Sequence, residues 1–173
     1  GGWTYFVHEV DVPDQLADLP RIGVTFEVPR ASRVRWYGRG PLENMPDRQR
    51  GALLDVWESR MDELPYVLPQ EYGLRTDCRW LELDFASRKL RIEVLEPTAL
   101  HMSATRHRDR DLFAARDVTE LAECGNTVVH LDVAHRGVGT ASCGPDVDDR
   151  YKIGTGKFRF AYRMKITRRR AAR

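Results

Sequence analysis

The densest chemistry in the chain lies in HLDVAHRGVGTASCGPDV, from His130 to Val147. A thiol, Cys143, stands in a loop with Gly137, Gly139 and Gly144, and two imidazoles, His130 and His135, precede it. A cysteine becomes a nucleophile when a base takes its proton or a helix N-terminus lowers its pKa. No helix pattern follows here, and alternation puts His130 on the face of Asp132, a commonplace pairing on a half-exposed strand. Nor does the loop read as a phosphate cradle. It lacks the Gly-Lys-Ser/Thr ending, and the acidic residues after Pro145 would repel an anion. The glycines therefore read as sites of positive φ or of close backbone approach.

Metal binding finds no ligand set. His101 and His107 are six apart without a close partner, and Cys78, Cys124 and Cys143 follow no zinc spacing. Two carboxylates invite comparison with the acid and base of glycoside hydrolysis. Glu43 sits in GRGPLENMPDRQRG (38–51) and Glu71 in LPQEYGLRTD (68–77), among Arg39, Arg48, Arg75 and Arg79. Carboxylates among arginines stay ionised and paired, which suits bracing better than general acid work. Glu43, Arg48, Glu71, Arg75 and Arg79 are therefore assigned to loop bracing or an interface.

Strands must carry these loops. Ile22, Val24, Phe26 and Val28 alternate with Gly23, Thr25 and Glu27, and Phe158, Phe160, Tyr162, Met164 and Ile166 alternate with polar or small residues. Further strands are expected at 3–12, 33–37, 78–84, 89–95 and 126–133. Segment 108–123 predicts one or two helical turns with Asp109 as N-cap. In 51–64, Leu53, Val56, Trp57, Met61 and Leu64 fall on one helical face. Loops as long as 38–51 and 68–77 in a β protein are usually functional or lie in an interface. The expected fold class is all-β, built from packed antiparallel sheets.

The 173 residues suit one domain, and 42% hydrophobic with 31% charged residues excludes disorder. No apolar run approaches the ~18 residues of a membrane helix, and the opening GGWTYFVHEV lacks the basic flank and apolar core of a leader. Net charge is only +2, and the single basic run, KITRRRAAR, reads as a solvated terminal strand and tail. Neither nucleic acid nor membrane is expected as a partner. Three cysteines, an odd number, read as free thiols in a reducing cytoplasm.

The three loop regions together carry a resemblance. WYGRGPLENMPDR (36–48), PYVLPQEYGLRTDCRWLEL (65–83) and HLDVAHRGVGTASCGPDVDDRYKI (130–153) resemble the C-terminal, small-chain domain of lac-type β-galactosidases of glycoside hydrolase family 2, and PRIGVTFEVP (20–29) agrees. The likeness runs from residue 20 to residue 166. It implies a β-supersandwich of the galactose mutarotase type, classed as carbohydrate-binding, with 1–173 as an N-terminally truncated domain. It implies that the catalytic glutamates, with magnesium and sodium, lie on a separate (β/α)₈ barrel, so that this chain carries no catalytic residue and no cofactor.

The implied partners are a galactoside such as lactose, the other domains of a cytoplasmic parent enzyme, and further copies of the chain in a homo-oligomer. In some family members the serine of the glycine loop is followed by a tryptophan that stacks on the sugar. Cys143 occupies that position here, so Ser142, Cys143 and Gly139 are the implied substrate-binding residues. A thiol offers less apolar face than an indole, by roughly 0.5–1.5 kcal/mol. Met45, Tyr72, Leu74 and His135 depart from the family's usual wording. Relatives favour strand and turn over 51–64, which argues against a helix there. The alternative is a free-standing sugar-binding module or mutarotase-like epimerase, for which His101 and Glu71 are the only available acid–base pair.

Overall fold

A computed structural model describes residues 2–61, 71–139 and 144–168. Leu64, residues 65–70 of the second motif, Ser142, Cys143 and residues 169–173 of the basic tail lie outside them. Ten strands among the described residues form two antiparallel sheets. Six belong to the first sheet: β1 (Thr4–Val12), β3 (Arg33–Gly40), β4 (Leu53–Arg60), β6 (Trp80–Asp84), β7 (Arg88–Glu96) and β10 (Gly156–Arg168). They lie in the order β1-β10-β7-β6-β3-β4. The second sheet holds β2 (Arg21–Pro29), β5 (Arg75–Cys78), β8 (Leu100–Thr105) and β9 (Asn126–His135), in the order β2-β9-β8-β5.

Period-two patterning builds the sandwich. Val34, Trp36, Leu81, Leu83, Ile92 and Phe160 from the first sheet meet Leu100, Met102, Ala104, Val129 and Leu131 from the second in one buried cluster. Burying a side chain such as Phe160 contributes roughly 1.5–3 kcal/mol relative to leaving it in water. Phe6 stacks on Tyr162 with ring centroids 5.0 Å apart, which closes the β1 end of the core.

Two expectations need correction. CRWLELD is not one strand: β5 lies in the second sheet and β6 in the first, so the chain changes sheets at Arg79. Asp77, with φ of +55°, turns the backbone there, and Arg79 N–H then donates to Tyr37 O in the first sheet at 2.8 Å. The helix α1 (Asp109–Ala114) is six residues long, and its N-cap is Arg108 rather than Asp109. Asp109 instead occupies the first helical position, where its carboxylate meets His130. In 51–64 the strand-and-turn reading holds over the helical spacing: Leu53–Arg60 is a strand, in which Trp57 pairs across from Trp36. Cross-strand pairing against β3 outweighs a weak helical stripe. β8, which the sequence reading did not single out although LHMSAT alternates, pairs with β9 from His101 to Thr105.

Candidate functional site

The glycine loop starts where β9 ends. Arg136 anchors its first residue: Nε lies 2.7 Å from Asp18 Oδ1, and Nη2 lies 2.7 Å from Asp146 Oδ2 on the returning arm. Both carboxyls are held below their ordinary range, chiefly by hydrogen bonds from this guanidinium. One residue on, Gly137 N–H donates to Tyr151 O at 2.9 Å. Asp47, from the 38–51 loop, then receives the N–H of Val138 at 3.2 Å and of Gly139 at 2.8 Å.

Two glycines make this possible. A Cβ at Gly137 would come within 2.7 Å of Asp47 Cγ, and Gly139 has φ of +59° with Val147 N only 2.9 Å from where its Cβ would be. The outgoing and returning arms are therefore pinched together at Gly139 and Val147. Gly139 stands at the base of the loop, while Ser142 and Cys143 lie outside the described residues. The 40–52 loop, whose residue Asp47 reaches this base, encloses an open hollow of 530 Å³ lined in part by Pro41, Leu42, Glu43 and Arg48.

The long loops are tied to one another at Asn44 and Glu43. Asn44 is fully buried. Its amide donates to the carbonyls of Arg39 and Leu42 at 3.3 and 3.1 Å, and its oxygen accepts from Thr76 N–H at 3.0 Å and Thr76 Oγ1 at 2.6 Å. Glu43 Oε2 accepts from Gly73 N–H at 2.8 Å, and Oε1 lies 3.3 Å from Arg48 Nη2.

The arginines pair differently from the sequence reading. Arg75 is buried, donates to Gly73 O and lies over the Trp36 ring at 4.3 Å. Burial brings its pKa down to about 10. Arg79 donates to Asp77 O and lies over Tyr37 at 5.3 Å. Neither finds Glu43 or Glu71, because aromatic faces and carbonyls stand closer to these guanidinium groups. Asp77 takes Arg39 Nε at 2.6 Å.

Glu71 belongs to a second constellation, on the face of β9 turned away from Val129 and Leu131. The register sets His101 opposite Asp132 and Ser103 opposite His130. Arg21 pairs with Glu71, and His135 Nε2 lies 3.8 Å from the same carboxylate. Burial pushes the Glu71 carboxyl up, but His135 and Arg21 outweigh it and hold it below its ordinary range.

Asp132 is fully buried, with no hydrogen-bond partner among the described residues and Arg21 Nη1 at 3.8 Å. Desolvation pushes its pKa up to about 6. His101 is pushed down to about 4, first by burial and then by His135. The β9 strand is therefore not half-exposed, as its alternation suggested; both faces are buried.

His130 has both ring nitrogens engaged among the described residues. Its Nδ1 is 3.0 Å from Ser103 Oγ and its Nε2 is 3.0 Å from Asp109 Oδ1. These are the groups of a serine–histidine–aspartate triad arranged inside out. Ser103 is buried and Asp109 faces solvent, so no substrate reaches the hydroxyl. Cys78 and Cys124 are free and buried, and burial raises Cys78 to about 12. Among the described residues no three His, Cys, Asp or Glu side chains are grouped to hold a metal ion, and no helix is long and apolar enough to cross a membrane.

Sequence reasoning passed over Asp47, Asn44 and Arg21, which the fold makes central. Their only signal was membership of the recognisable loop motifs. The family departures are mostly core residues: Met45 and Leu74 are fully buried, and Tyr72 packs at 6.0 Å from the His107 ring.

Comparison with known proteins places these features in context. Residues 3–166 match the family described as β-galactosidase small chain. The β-galactosidase of Aeromonas hydrophila is 39% identical over 138 residues, which is 76% of this chain and 13% of that protein. Those of Vibrio cholerae and Arthrobacter sp. are 36% and 35% identical, over 76% and 75% of this chain and 12% and 13% of theirs. The chain thus spans about an eighth of the length of these relatives.

Proposed function

Because the chain belongs to the β-galactosidase small-chain family, we propose that it forms a non-catalytic wall of a β-galactosidase active site of the glycoside hydrolase family 2 kind. The glycine loop faces the sugar, with Gly139 at its base and Ser142 and Cys143 at the contact. The reactive glutamates, magnesium and sodium belong to another domain of the parent enzyme, and the substrates are terminal β-D-galactosides such as lactose. The observation that carries this reading is the base of the loop. Asp47, Arg136, Asp18 and Asp146 hold both arms while strands on either side fix them, which is how a rigid scaffold presents a binding loop. Two buried free thiols suit a cytoplasmic setting.

A mutarotase-like epimerase is the second reading. It needs a free carboxylate and an imidazole converging on a sugar ring. Glu71 is bound by Arg21 and His135 and is held ionised, which weighs against its pairing with His101.

Calorimetric titration of the chain with methyl β-galactoside tests the reading. Saturation in the millimolar range, with no release of nitrophenol from a nitrophenyl galactoside, is expected. Turnover by the chain alone, or catalysed exchange of galactose anomers, would overturn it.

A further inference from the structure

Asp47 has no ion-pair partner among the described residues, yet its carboxylate is aimed into the base of the glycine loop. Its two oxygens each accept a backbone N–H, from Val138 at 3.2 Å and from Gly139 at 2.8 Å. Successive N–H groups converging on one anion form a concave cradle in which the donors need no side chain. The anion here comes from a different loop, 91 residues away in sequence. The cradle also has no slack. A side chain at Gly137 would strike Asp47 Cγ and Val147 Cγ2, and one at Gly139 would strike the Val147 backbone.

We propose that Asp47 is the positioning residue of the glycine loop, setting the path of the outgoing arm at Val138 and Gly139 and so aiming the loop at its sugar. The second half of this statement rests on the sugar-facing reading above; the first half does not. Arg136 ties the outgoing arm to Asp18 and to Asp146 on the returning arm, and its Nη1 also donates to Gly137 O at 3.2 Å. Among the described residues, Asp47 is the link from the loop backbone to the 38–51 loop, which Asn44 and Glu43 tie in turn to the chain leading into β5. A displacement of one long loop is thereby transmitted to the other.

The test uses ¹⁵N-labelled chain with Asp47→Ala and Asp47→Asn. Loss of both charge-assisted bonds should speed amide exchange at Val138 and Gly139 by roughly ten- to hundredfold. Asn, which keeps one acceptor, should fall between Ala and wild type. Exchange in the β9 centre should be unchanged, which separates positioning from general destabilisation. Affinity for methyl β-galactoside should drop by about tenfold in the Ala variant and less in the Asn variant.

Unchanged exchange at the two amides, or faster exchange spread through both sheets, would overturn the proposal. So would faster loop exchange with unaltered affinity in a wild-type chain that binds galactoside. A wild-type chain that never saturates would instead refute the sugar-facing reading, and the amide signals would still decide whether Asp47 holds the loop.

Discussion

At the scale of single residues, His101 and Asp132, opposite one another in the register of β8 and β9, make the least expected demand on the fold. Asp132, pushed up to about 6, holds its proton longer in the folded chain than in the unfolded one. Its contribution to stability is therefore present at low pH and is lost as pH rises through the interval from about 4 to 6. His101, pushed down to about 4, stays neutral in the folded chain while the unfolded imidazole protonates near its ordinary value. Its effect runs the other way, and stability is lost as pH falls from about 6.5 to 4. The two nearly cancel in wild type.

Asp132→Asn leaves His101 uncompensated. Urea unfolding should then show stability dropping by roughly 2–3 kcal/mol on acidification across that window. His101→Gln should show the reverse trend, gaining stability as pH falls. Parallel pH profiles for the two variants would refute the pairing. Asn44 supports a second expectation: Asn44→Ala leaves Thr76 N–H and the Leu42 carbonyl short of partners and should cost about 2–3 kcal/mol in the same assay. Cys143→Trp should tighten binding of an aryl galactoside by roughly 0.5–1.5 kcal/mol, read by calorimetry. None of the partners of Asp132 or Asn44 was legible in the sequence. They come from strands or loops far apart in the chain, and only the register brings His101 opposite Asp132 or Thr76 to Asn44.

Among the elements, legibility followed periodicity. β2, β3, β7, β9 and β10 alternate over enough residues to declare themselves. β8 reads LHMSAT and does alternate, with Leu100, Met102 and Ala104 in the core, but its six residues are few and its polar face is covered rather than solvated. β5 and β6 run together because sheet changes at Arg79 depend on one positive φ, which composition does not mark. β4 looked helical because its apolar residues fall on both faces. That same feature leaves Leu53 at 68%, Leu54 at 43% and Val56 at 45% exposure on an outer strand that, among the described residues, pairs only with β3. Such an edge favours pairing with another chain. Sedimentation of the isolated chain should show concentration-dependent association, and Leu53→Lys with Val56→Lys should abolish it. A wild-type chain that stays monomeric at high concentration would contradict this.

On the scale of the whole molecule, the two-sheet sandwich serves as a rigid frame for loops contributed from three distant parts of the sequence. Those loops were recognisable because their residue types are demanded locally, by buried amides, carboxylate cradles and glycines without room for a Cβ. The frame itself tolerates many apolar sequences, so its strand order was not readable. On the proposed reading, Glu43, Asp47 and Glu71, engaged by arginines, an imidazole and backbone N–H groups, shape a site whose chemistry lies in another part of the parent enzyme. The most direct measurement is a map of amide shifts in ¹⁵N-labelled chain titrated with methyl β-galactoside. Saturable shifts confined to residues 136–147 and the neighbouring 40–52 loop are predicted. Shifts centred instead on His101, Asp132 and Glu71 would contradict the account and move the sugar to the opposite constellation.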